Sequence, residues 1–120
     1  MSLLMEKAQK DLDTVSAVWG QWDVCSFHLE QAIEKLLKYS LELKGRECTG
    51  TVKELYQQYV ASGWQEIDGM VDSVDEISGW ILSGYQQITV TQEQLAKAMY
   101  FCEVLKRRIF EMLATEDFKI

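Results

Sequence analysis

Cys25-Ser-Phe-His-Leu-Glu-Gln-Ala-Ile-Glu-Lys-Leu-Leu-Lys38 is the stretch on which the fold turns. Leu29, Ala32, Ile33, Leu36 and Leu37 recur at steps of three and four, the period that puts apolar side chains on one face of an α-helix. The pattern continues through Ser40 and Leu43, so a helix is predicted from about Val24 to Lys44, with Gly45 in the usual stop position. At about 100° per residue, His28, Gln31, Lys35, Lys38 and Glu42 fall within roughly an 80° sector away from the apolar face. That sector is a continuous polar stripe.

Outward from this helix, the same period recurs on both sides. Leu4, Ala8, Leu12, Val15 and Trp19 predict a helix from about Leu3 to Trp19, ending near Gly20. Thr51-Val-Lys-Glu54 has the form of a capping box and opens a short helix carrying Val52, Leu55, Tyr56, Tyr59 and Val60, which ends near Ser62-Gly63. From about Gln65, the stripe Ile67, Met70, Val71, Val74, Ile77 and Ile81 predicts a fourth helix closing at Ser83-Gly84. Thr91-Gln-Glu-Gln94 is a second capping-box form. It leads a long fifth helix in which Leu95, Ala98, Cys102, Leu105, Ile109 and Met112 repeat almost as heptads.

Short connectors make consecutive helices antiparallel neighbours, so the predicted fold is all-α: an up-and-down bundle of four main helices plus one short helix. The 120 residues make one domain, 1–120, with 116–120 as a tail that frays. With 48% hydrophobic residues and no proline, the chain can build a core without staples. Cys25, Cys48 and Cys102 are odd in number and lack metal-ligand spacing, which predicts free thiols. Neither a cofactor nor a metal is called for by any motif. A net charge of −7, from 19 acidic against 12 basic side chains, disfavours non-specific nucleic-acid binding. No apolar run is long enough for a signal segment or membrane span, so a cytoplasmic protein is expected.

The Cys25–Lys38 segment resembles the second helix of HEPN domains, in which an aromatic residue leads into a Gln-Ala-x-Glu-Lys-x-Leu-Lys run. The surrounding layout is similar too: a preceding helix, a Gly-containing connector, a Thr-x-x-x-Leu helix start at Thr51 to Leu55, and a helix introduced by Val-Thr-Gln-Glu. The resemblance implies a helical bundle that forms a homodimer. It also implies either RNA cleavage or partnership with a small nucleotidyltransferase in a toxin–antitoxin, stress or defence system. Active members of the family carry an Arg followed four to six residues later by His. Here His28 is the only histidine and the nearest basic residue before it is Lys10, so that motif is absent. Val52 stands where many relatives have His, and Gly84-Tyr85 where many have Arg-Tyr. Neither Val nor Gly can act as a general base or an electrostatic stabiliser.

No catalytic residue is therefore assigned. The stripe of His28, Gln31, Lys35 and Lys38 is the candidate nucleotide- or partner-binding site: its lysines suit phosphate, and His28 and Gln31 suit a base or a second chain. A solvated helix face, with His28 bonded to a neighbouring helix, is the competing reading. Lys106-Arg107-Arg108 reads as a solvated or helix-end cluster. Trp19 and Trp80 continue apolar stripes and are expected in the core, whereas Trp22 and Trp64 fall at junctions, where they cap the bundle or meet a partner. The leading expectation is a non-catalytic HEPN-like interaction protein. Its rivals are a ribonuclease with a rearranged set drawn from His28, Lys35 and Arg46, and a helical scaffold that binds no nucleotide.

Overall fold

The computed structural model describes residues 3–82 and 90–117, and among these the regular structure is entirely helical. The helices are α1 (Leu3–Ala17), α2 (Trp22–Leu43), α3 (Val52–Ala61), α4 (Met70–Leu82) and α5 (Gln92–Asp117). The short helix is the third, as the spacing predicts. The expected stop at Ser83-Gly84 and the Gly84-Tyr85 turn lie outside the described residues, as does the tail beyond Asp117.

α2 packs against each of the other four helices. The reason is its composition: Cys25, Leu29, Ala32, Ile33, Leu36, Leu37 and Leu41 are all fully buried, a wider apolar surface than one neighbour can cover. Burying each large aliphatic side chain among them stabilises the fold by about 1.5–3 kcal/mol relative to exposure. α5 contributes Leu95, Phe101, Cys102, Leu105 and Ile109 to the same core, and α3 adds Leu55, Tyr56 and Tyr59. Along the α1–α2 pair, contacts run from Val15 against Cys25 to Asp11 against His28, so residue numbers fall on one helix as they rise on the other.

Local signals set the helix ends. Gly45 takes φ +74°, and the amides of Gly45 and Arg46 donate back to the carbonyls of Glu42 and Leu41, which closes α2 in a Schellman turn. The carbonyl of Ser40 in that last turn accepts the indole N–H of Trp64 at 3.0 Å. Trp64 lies flat on Tyr59, with ring planes 3° apart, and Lys44 sits 5.0 Å over the Trp64 ring. Of the two readings for Trp64, the bundle-end cap is the one realised. Both capping boxes form: Thr51 Oγ1 accepts from the Glu54 amide while Glu54 reaches back to the Thr51 amide, and Thr91 and Gln94 repeat the arrangement.

Three expectations are corrected. α1 stops at Ala17, before Trp19, so that ring leaves the helical face, is 42% exposed and meets Trp22 edge-on at 5.1 Å. The buried α1 stripe is Met5, Ala8, Asp11 and Val15, rotated from the one drawn through Leu4 and Leu12, both only half-buried. α4 begins at Met70 rather than Gln65: Gly69 at φ +81° interrupts the helical path, and the amide of buried Ile67 donates to Tyr56 Oη at 3.0 Å. Ile67 thus joins the core from a loop, while Val71 points outward at 58% exposure. Trp80 is buried as expected.

Candidate functional site

Asp11 is the acidic member of the buried α1 stripe, three residues after Ala8 and four before Val15. On the facing helix, His28 and Lys35 are seven residues apart, two turns along one side of α2. The two helices bring these side chains together. Asp11 Oδ1 is 2.8 Å from His28 Nδ1, and Asp11 Oδ2 accepts from Lys35 Nζ. All three side chains are largely shielded, Asp11 most of all. An ionised carboxylate only accepts hydrogen bonds, so Nδ1 of His28 is the donor and Nε2 is the ring nitrogen left for other contacts. Phe27 stands edge-on to the imidazole at 5.2 Å.

The remaining stripe residues are divided. Lys38 Nζ donates to Glu34 at 2.8 Å, one helical turn back on α2. Gln31, half-buried between His28 and Lys35, makes no side-chain hydrogen bond to any described residue. A phosphate at Lys35 or Lys38 would have to compete with a carboxylate already in place, whereas Gln31 and His28 Nε2 are open to a ligand or a second chain.

None of the chain's arginines joins this site. Arg46 follows the end of α2, roughly 22 Å along the helix axis from His28 even when measured only to Leu43. Arg108 Nη1 donates to Tyr59 Oη at 3.1 Å and to the Gln65 carbonyl, clamping the loop that leads to α4. This corrects the reading of Arg108 as a solvated or helix-end charge. Lys106 reaches Gln9 of α1 at 2.6 Å, and Arg107 is exposed.

Sequence reasoning missed Asp11 and the Arg108 clamp. An acid standing in an apolar stripe was the available signal for Asp11; for Arg108 nothing local marked the loop it reaches. The three cysteines are free, and among the described residues no cluster of His, Cys, Asp and Glu could hold a metal. Burial pushes the Cys102 thiol up to about 12 and raises that of Cys25, so neither is an activated nucleophile. Among the described residues, no helix is long and apolar enough to cross a membrane.

The chain belongs to the HEPN family: the model for the HEPN domain matches residues 1–112. No curated protein and no solved structure matches it.

Proposed function

We propose that this is a non-catalytic HEPN interaction protein of the cytoplasm, a homodimer that binds a minimal nucleotidyltransferase in a toxin–antitoxin, stress or defence setting. The observation that carries this reading is the isolation of His28. The only histidine of the chain is bonded to Asp11 with no arginine beside it, and the nearby Lys35 is held by the same carboxylate. Transition-state charge on a scissile phosphate would meet no arginine there, and Lys35 is already engaged by a carboxylate. His28, Gln31, Lys35 and Lys38 serve instead as a contact surface for a nucleotide or the partner chain.

One observation favours a second reading. Asp11 orients His28 so that Nε2 faces away from the carboxylate, the geometry of a histidine general base. A ribonuclease built on Asp11, His28 and Lys35 would use it.

Capture of the tagged protein from its native lysate, with and without nuclease, combined with an RNA-cleavage assay, separates the two. The expected outcome is a near-stoichiometric nucleotidyltransferase that survives nuclease, and no cleavage of RNA. Cleavage by the purified protein that disappears in both His28→Ala and Asp11→Asn would overturn the non-catalytic reading. Thermal shift with common nucleotides, compared between the native chain and Lys35→Ala, tests the ligand at the stripe.

A further inference from the structure

α5 carries a second stripe on its outward side. Ala96, Tyr100, Glu103, Arg107, Phe110 and Ala114 are spaced four, three, four, three and four residues apart and fall within roughly an 80° sector. All six are exposed, with Tyr100 at 49% and Phe110 at 44%. Tyr100 and Phe110, ten residues apart, put two half-exposed aromatic rings on this one face. Between them, Glu103 and Arg107 form no ion pair and no hydrogen bond with any described residue.

The order of the stripe reads the same from either end. About Leu105 as centre, the alanines lie nine residues out, the aromatic rings five and the charges two. A two-fold axis through that centre sets α5 antiparallel to α5 of a second copy. Glu103 then meets Arg107 of the other chain twice, Tyr100 meets Phe110 twice, and an alanine pair at each end lets the backbones approach. A parallel arrangement would set Glu103 against Glu103 and Arg107 against Arg107, so the charges select the antiparallel one. Such self-complementarity is what a symmetric dimer requires, since each contact occurs twice. Phe110 also walls a groove of about 290 Å³ shared with Met5, Gln9 and Lys10 of α1, so apolar surface continues beyond the helix itself.

We infer that the outward face of α5 is the dimer interface, formed by antiparallel pairing of Ala96 to Ala114 with a second copy of this chain. The inference rests on the proposed function only in taking the protein to be a homodimer. Sedimentation of the whole protein across a dilution series tests both, by different outcomes. The native chain is expected to sediment as a dimer. Arg107→Glu sets acid against acid twice and Glu103→Arg sets base against base twice, so each weakens the dimer at least about tenfold, with the helical circular dichroism unchanged. Glu103→Arg combined with Arg107→Glu in one chain restores it, and mixing the two single variants yields a heterodimer. A monomeric native chain would sink the homodimer reading and this interface with it. A native dimer that tolerates both single variants would sink the α5 interface while leaving the homodimer standing.

Discussion

Asp11 joins two helices through one carboxylate, because each of its oxygens takes a different side chain of α2. Removing it leaves Lys35 and His28 partly buried without their acceptor, a larger loss than that of an exposed ion pair. Asp11→Ala is expected to cost about 1–3 kcal/mol in urea unfolding, whereas Glu34→Ala, which breaks the more exposed turn-to-turn pair with Lys38, costs less than about 0.5 kcal/mol. Equal losses would show that Asp11 is not the residue that ties α1 down. At this scale the sequence was half legible. The stripe of His28, Gln31, Lys35 and Lys38 could be drawn from its period alone, but the residue that gathers two of its members sits on another helix. Pairing across helices depends on rotation about the α1 axis, and Met5 rather than Leu4 sets that rotation.

The helices themselves were readable because period, caps and stops agreed with one another. Thr51 and Glu54 share two reciprocal hydrogen bonds at the start of α3. Thr51→Ala is expected to lower stability by about 0.5–2 kcal/mol, while Thr51→Ser stays close to the native value, as thermal or urea unfolding would show. Boundaries were less readable where tertiary contacts outcompeted the period. Ile67 fits the helical spacing of α4, yet the Tyr56 hydroxyl takes its amide and Arg108 takes the carbonyls beside it, holding this segment out of the helix. Trp19 fits the spacing of α1 but lies two residues beyond its last turn. Ile67 was thus read correctly as core and misplaced in its element, whereas Trp19, read as core, is neither in the helix nor buried.

Across the whole molecule, burial makes the native state sensitive to alkali. Cys102 is fully enclosed and its thiol is pushed from 9.0 to about 12, and desolvation raises Tyr56 and Tyr59 as well. A folded-state pKa above the unfolded one means the unfolded chain releases its proton first. The stabilisation is therefore complete below pH 9 and is lost progressively as pH rises towards 12. Urea midpoints measured from pH 7 to 11 are expected to fall above pH 9, and Cys102→Ala, though less stable at neutral pH, should show a shallower fall; an identical slope would remove Cys102 as a cause. The same molecule-wide arrangement bears on how the chain comes apart. α3 and α4 also pack on each other, but α2 is the shared neighbour of α1, α3, α4 and α5, so melting it is expected to remove the contacts that join all four. Amide protons across the Cys25–Leu41 stretch should then exchange only through global opening, with the slowest rates in the protein, and unfolding should proceed as a single cooperative event.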